Sequence, residues 1–320
     1  MISDRYPAPG LNDLTDKNII MWYMEGMAAE IVSIDTIYNK IANIREMKSI
    51  NDVIATWTGG QLYGIHQAME KARTYEPNTG WRIRMFPNIY KNSFQVPATI
   101  TEWDDQRRFV EQQSAILGTF GIVTLDYVFV NLLNNAFDVN YPVYDGQPLC
   151  SLNHVLKNAT GVLANRPAAG SAISQDTVSD GYTYFMSMKS DDGLLFSMRV
   201  AFLVVPPSQF GKAAQVLAQT LDPLANNNGT PALTASFSDY GVPKIIVSSK
   251  LTSPFAWFML AGPATLSGNG HGLDLWFTPD GYPATKTIKK EDPDYTKHIG
   301  MFRVAPTITK VRGVWGNPGV

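Results

Sequence analysis

Apolar side chains return along this chain in two rhythms. Between residues 15 and 45 the rhythm is helical: Ile19, Ile20, Tyr23, Met27, Ile31 and Ile34 recur at intervals of three and four, and Thr15 and Asp16 are suitable caps for the start. Residues 53–75 are broken by Gly59, Gly60 and Gly64, and only 68–72 reads locally as helix. After the turn cluster Glu76-Pro77-Asn78-Thr79-Gly80, the run Trp81-Arg82-Ile83-Arg84-Met85-Phe86 alternates apolar and charged, as a half-exposed strand does. A second extended stretch covers 93–97, and Pro97 confines it to an edge or a strand end. The two stretches together predict a projecting β-hairpin.

The longest pattern runs from Trp103 to about Phe137, with Val110, Ile116, Leu117, Phe120, Leu125, Val128, Leu132 and Phe137 on its apolar face and no proline inside. Thr101 followed by Asp104 resembles a capping box with Asp in place of the usual Glu or Gln. A helix of this span is roughly 50 Å long, far beyond the average. Gly118 and Gly121 bend it or permit close packing, and Asp104, Asp105 and Glu111 suit its dipole.

Further on, 141–146 is a turn, and 150–192 mixes helix and loop. Phe196, Met198, Val200, Phe202 and Val204 alternate as a strand that Pro206-Pro207 stops, with Ser208 as the cap of a helix over 209–221. Residues 225–231 form a loop, and strands follow at 244–248, 256–261, 273–278 and 302–314. The mixture is α+β, with strands gathered toward the C-terminus.

Charged residues are 17% of the 320, against a typical value of about 25%, and aromatic residues are 11%. Such a surface is either neutral and polar or buried against partners, where aromatic side chains are enriched. The net charge of -2 and the absence of a run of five or six Lys or Arg argue against specific nucleic-acid recognition. Cys150 is the single cysteine, so neither an internal disulfide nor a zinc cluster is available, and folding in a reducing cytoplasm is expected. Residues 1–11 lack the basic start and apolar stretch of a signal peptide, and 194–207 contains Arg199 and ends in two prolines, unlike a membrane span.

Residue patterns that carry chemistry are few. There is no phosphate loop, and Gly268-Asn269-Gly270-His271-Gly272 reads as a plain turn. His66, His154, His271 and His298 form no short two-His pattern, and Asp292 and Asp294 near His298 read as an exposed polar loop rather than a cation site. Asp145, Cys150, Ser151 and His154 are the one cluster that could support a nucleophile, although no Gly-x-Ser-x-Gly elbow surrounds Ser151; its alternative reading is a tight Asp145-Gly146 turn with polar side chains ordering the next loop. Trp103, Trp257 and Trp276 fill core or interface space. The cluster Asp104, Asp105, Arg107 and Arg108 is either a solvated helix start or half of a subunit–subunit ion pair.

Several segments in order resemble the Mu-like major head protein family of tailed bacteriophages: Thr101-Glu102-Trp103-Asp104-Asp105 before the long helix, then Asp145-Gly146-Gln147-Pro148-Leu149-Cys150-Ser151-Leu152-Asn153-His154, Leu203-Val204-Val205-Pro206-Pro207, Asn226-Asn227-Asn228-Gly229, 247–251, and Pro254-Phe255-Ala256-Trp257-Phe258-Met259-Leu260. The resemblance covers roughly 80–320; 53–80 shows no clear strand pairing. It implies the Hong Kong 97-type capsid fold: an N-terminal arm and helix over 1–54, an extended loop over 55–100, a peripheral domain over 101–149 with its spine helix at 103–137, an axial domain over 150–245, and C-terminal strands over 246–320 shared between the two. The implied function is a major capsid protein that assembles into pentamers and hexamers of an icosahedral head enclosing double-stranded DNA. Portal, scaffold and decoration proteins are the implied partners, beside the chain itself, with no membrane, no cofactor and no metal. Assembly in the bacterial host cytoplasm and residence in the virion capsid follow. Expected inter-subunit contacts are Trp81, Arg82, Ile83, Arg84, Met85, Phe86, Phe94, Asp104, Asp105, Arg107 and Arg108. The resemblance also brings Lys91 and Asn92 into view as a crosslinking pair, with no carboxylate assigned to assist it. The competing readings are a tube or decoration protein, which would lack the long helix, and a hydrolase using Ser151 and His154.

Overall fold

The computed structural model describes residues 16–33, 35–49, 52–58, 78–97, 106–218, 242–263, 270–289 and 295–320. The first half comprises α1 (Asp16–Ile31), α2 (Tyr38–Ile41), β1 (Asn43–Glu46), β2 (Val53–Thr58), β3 (Asn78–Arg84), β4 (Asn88–Pro97) and the long α3 (Gln106–Asn134). The second half adds β5 (His154–Val155), β6 (Val162–Leu163), α4 (Gln175–Met186), β7 (Met188–Lys189), β8 (Leu195–Phe196), β9 (Val200–Val205), α5 (Phe210–Ala218), β10 (Lys244–Val247), β11 (Trp257–Ala261), β12 (Leu273–Phe277), β13 (Ala284–Lys289), β14 (Tyr295–Ile308) and β15 (Val314–Asn317).

The helical pattern expected over 15–45 breaks at Ile31. A fully buried carboxylate on α3 is part of the reason: Asp126 Oδ1 accepts from the backbone N–H of Ile37 at 2.9 Å and of Tyr38 at 2.7 Å, which starts α2 in a new direction. Thr36 Oγ1 donates to the Glu30 carbonyl at 3.0 Å and secures the bend. Ile34 lies outside the described residues.

α1 packs against α3 at a crossing made of glycine on both sides. A Cβ on Gly26 would meet the Ala115 carbonyl oxygen at 2.0 Å, and one on Gly118 would meet that of Tyr23 at 2.1 Å. Gly118 therefore serves close packing, and Thr119 Oγ1 donates to the Gly26 carbonyl at 3.2 Å across the same contact.

Two sheets flank α3. In the first, β14 carries β4 along one edge and β13 then β12 in succession along the other, with β1 parallel to β12 outside it. The second has the order β10-β9-β11-β15. β11 is buried along its whole length. Phe258 and Leu260 face a core shared with Leu125, Phe129 and Leu133 of α3, while Trp257, Met259 and Ala261 face a second core closed by Val178, Tyr182 and Phe185 of α4 and Ala213 and Leu217 of α5. A strand covered on both faces reads as a continuous apolar run, and each large side chain so buried stabilises by about 1.5–3 kcal/mol. α4 starts at a capping box, with Ser174 and Thr177 exchanging side-chain and backbone hydrogen bonds.

Several local expectations change in the tertiary setting. The hairpin expected from 81–86 and 93–97 does not form: β3 pairs with β2, and β4 pairs with β14. The stretch expected as one strand over 302–314 divides into β14 and β15, which belong to different sheets. β13 had no sequence signal that singled it out. Ser208 does not cap α5, because Pro207 opens a 3-10 turn before it (Pro207–Gln209), and the Ser208 hydroxyl donates to the Pro254 carbonyl instead. On α3, Val110, Leu117 and Leu125 are buried as expected, but Ile116 and Phe120 are 38% and 55% exposed.

Candidate functional site

The expected contact residues separate sharply by environment. Ile83 and Met85 are buried within the subunit: Met85 joins Met47 and Ala305, with Ile54 and Trp276 against them. Alternation along 81–85 places Ile83 and Met85 on one face, and at Met85 that face packs on Ala305 and Trp276 of the first sheet. Phe94 is half-buried against Ile19, Trp22, Val96 and Val110, and its ring centroid is 5.1 Å from that of His298. Trp81 is also engaged within the chain, since its ring lies 5.6 Å from that of Tyr144 and Lys157 Nζ sits 4.3 Å over it. Of the apolar candidates, Phe86 is the one that stands in solvent, 66% exposed, with the Arg84 guanidinium 5.9 Å from its ring centre. Arg82, Arg84 and Arg108 are exposed. Arg107 belongs to the first turn of α3, and Asp104 and Asp105 lie outside the described residues.

The turn between β3 and β4 forms one wall of a groove of about 1030 Å³. The outer face of α3 at Tyr127 and Asn131 forms the floor, and the turn at Asn140 and Tyr141 closes the far side. Exposed Phe109, Ile116, Phe120 and Tyr127 make an apolar line along α3 that leads into it. By length and composition α3 is apolar enough to cross a membrane, but its buried Asp126 and Ser114, and its packing against α1 and β14, are those of a core helix. The groove is not legible in the sequence, because its walls come from segments far apart in the chain. The alternation at 82–86, with two arginines on one side, is the part that was legible.

The Asp145, Ser151 and His154 cluster is assembled, but not as a nucleophile and its base. His154 Nδ1 meets Asp145 Oδ2 at 2.6 Å, and Nε2 faces the Leu149 carbonyl at 3.2 Å. Ser151 Oγ donates instead to Gln147 Oε1 at 3.1 Å. A triad needs the base nitrogen within reach of the hydroxyl, and here both ring nitrogens point elsewhere. The loop is fastened further by Asn165, fully buried, whose Oδ1 accepts from Ser151 N and whose Nδ2 donates to the Leu149 carbonyl, both at 2.7 Å. Burial pushes the Cys150 thiol far above its ordinary pKa, so the reactive thiolate is suppressed. Asn165 carried no sequence signal beyond being a lone polar residue.

The other singled-out residues sit in the framework. His298 lies on β14 and is 5% exposed, which corrects the exposed-loop reading for this residue; Asp292 and Asp294 lie outside the described residues. Lys91 and Asn92, within the 55–100 span expected as the extended loop, lie on β4, paired with β14. Trp257 is fully buried. Among the described residues no group of three or more His, Cys, Asp or Glu side chains is arranged to hold a metal ion.

The sequence matches a family described as phage capsid protein over residues 90–316. No curated protein matches it. Among solved structures, the chain is similar to a virus-like particle from Pyrococcus furiosus, with a TM-score of 0.54 and 7% identity over 94% of this chain and 98% of that one. It is similar to a structure from Mycobacterium phage Patience, with a TM-score of 0.53 and 11% identity over 94% and 88% of the two chains. It is also similar to the capsid of Cyanophage P-SCSP1u, with a TM-score of 0.51 and 7% identity over 88% and 87%. At these identities the likeness is one of fold.

Proposed function

The chain belongs to the phage capsid protein family, and from that premise we propose how one subunit serves as the major capsid protein of an icosahedral head. The match over 90–316 carries the reading. The fold is that of tailed-phage capsid subunits, the Hong Kong 97 type, and its parts support a division of labour. In this reading α1, α3 and the sheet around β14 form the peripheral domain with α3 as spine. The sheet β10-β9-β11-β15 with α4 and α5 forms the axial domain, and β2 with β3 is the base of the extended loop. The C-terminal strands lie in both sheets, which ties the two domains through one hydrophobic core.

Copies of the chain would associate head to tail into pentamers and hexamers, since such contacts close into rings when the rotation closes. The low charge of 17% and the exposed apolar line on α3 support large neutral interfaces. A net charge of -2 suits an inner wall that contains DNA without gripping it. Assembly in the host cytoplasm with portal and scaffold partners, and decoration in some heads, completes the proposal. The role is structural and not enzymatic: the pairing of Ser151 with Gln147 and of His154 with Asp145 favours a loop fastening over a hydrolase. The single long α3 favours a shell subunit over a tube protein.

Electron microscopy of the purified, over-expressed chain, with light scattering after size exclusion, tests this. Closed shells, or rings that convert to shells, are expected. A stable monomer or small dimer, even with scaffold co-expressed, overturns it.

A further inference from the structure

The groove beside α3 has an unusual lining. It includes Arg82, Arg84 and Lys250 and not one Asp or Glu. Lys250 is already neutralised by Asp126 and Asp35. Neither Arg82 nor Arg84 pairs with a carboxylate among the described residues. Both are exposed and stand beside exposed aromatic rings, Phe86, Tyr127 and Tyr141, the last two 55% and 56% exposed. Two unpaired guanidiniums over an aromatic-lined cleft complement a short segment that presents carboxylates around a large apolar side chain.

The chain contains such a segment in Glu102-Trp103-Asp104-Asp105, three carboxylates flanking a tryptophan. It cannot fill the groove of its own subunit. Asp104 is two residues from Gln106, where α3 starts, and stays within roughly 7 Å of it even fully extended. Tyr127 in the groove floor is roughly 30 Å further along the helix. The other acid-rich stretch, Glu291-Asp292-Pro293-Asp294, follows Lys289 and Lys290 and has no tryptophan.

We propose that the groove between the β3–β4 turn and α3 receives the Glu102–Asp105 segment of a second copy of this chain, with Arg82 and Arg84 pairing its carboxylates and Trp103 seated among the groove aromatics. The inference rests on the shell-subunit reading and deepens it. The contact is heterologous, joining one end of α3 in one copy to the other end in its neighbour, as ring closure requires.

A charge swap tests it in the full chain. Arg82→Glu with Arg84→Glu, and separately Asp104→Arg with Asp105→Arg, should each raise the unassembled fraction about tenfold at fixed protein concentration, because like charges then meet at the contact. All four substitutions together should restore assembly to near the wild-type level. Circular dichroism and the thermal midpoint report whether each variant is folded. Independently, Trp103→Cys with Tyr127→Cys in one chain should give disulfide-linked multimers from oxidised assemblies; Cys150 is fully buried and takes no part. Reversals that assemble normally, a swap that does not rescue, rescue by reversing 291–294 instead, or assemblies without cross-linked multimers each overturn the proposal while leaving the capsid reading in place. A wild-type chain that never assembles overturns both.

Discussion

The ammonium of Lys250 lies 2.9 Å from Asp126 Oδ2, and that carboxylate, in the middle of α3, has no exposure to solvent. Lys250 also reaches Asp35 Oδ2 at 3.1 Å, so one cation joins the α1–α2 connection, the long helix and the turn after β10. Burial lowers the Lys250 pKa, but the Asp126 and Asp35 carboxylates outweigh it and hold the group above its ordinary value. Lys250→Met leaves Asp126 buried without its counter-charge. A loss of about 3–5 kcal/mol is expected in urea unfolding, against a much smaller loss for Asp35→Asn at the exposed end.

Asp35 gives this network an acid limb. Burial raises its pKa, but hydrogen bonds from the Ser249 hydroxyl and N–H, together with Lys250, bring the net shift below the ordinary 3.8. A depressed carboxylate contributes stability that is present above the unfolded pKa and lost as pH falls through the folded one. Thermal midpoints of wild type and Asp35→Asn should differ at pH 6 and converge below pH 3, roughly the range set by the ordinary carboxylate value. Curves that stay parallel through that range would falsify the link.

His271 supplies a second pH dependence, at milder acidity. Burial lowers its pKa from 6.5 to about 4, with the nearby Ile41 backbone opposing in part. Its neutral ring accepts from the Leu273 N–H at 3.3 Å. Between these values the unfolded chain binds the extra proton and the folded chain does not. The contribution is therefore complete above pH 6.5 and disappears as pH falls toward 4, on the order of 3 kcal/mol in all. Urea midpoints should fall across that window in wild type and stay flatter there in His271→Gln.

The α1–α3 crossing should reject side chains. Gly118→Ala gains about 1 kcal/mol of helix propensity, but its Cβ would meet backbone atoms of Tyr23 and Met27 that cannot swing away. A net loss of roughly 1–3 kcal/mol is expected, and Gly26→Ala should behave alike. The check is a denaturant midpoint for each variant; a stabilised Gly118→Ala protein would mean that the helices do not cross at this point.

Ser151 and His154 offer a direct contrast of roles. Ser151→Ala removes a hydroxyl that, among the described residues, pairs with Gln147 and Asn153, and shells should form at the wild-type yield. His154→Ala leaves the Asp145 carboxylate buried without its partner, and a loss of roughly 1–3 kcal/mol follows from the orphaned group. Hydrolytic turnover in wild type that disappears in Ser151→Ala would favour the enzyme reading.

Much of this protein is legible in one dimension. The period of three and four residues marked α1 and α3, because a helix with a covered face repeats its apolar positions whatever covers it. The apolar runs marked β9 and β11, and the ordered segments from 101 to 260 pointed to the capsid family that the match over 90–316 bears out. Period and composition do not name a partner, however. Alternation in Trp81-Arg82-Ile83-Arg84-Met85-Phe86 announced a strand with two faces, but only Ala305 and Trp276 of the first sheet put Met85 in the core, while Phe86 stays outside. Nothing in the period of α3 marks Asp126, whose partners Ile37, Tyr38 and Lys250 meet around it only in the fold. Ile116 and Phe120 read as core and are exposed, because Ala115, Gly118 and Gly121, on another face of the same turns, make the contact with α1. Local sequence sets the rhythm of burial for each element; which neighbour satisfies a buried charge, and which apolar face is left for another copy, depends on contacts between residues tens to hundreds of positions apart, as between Asp126 and Lys250.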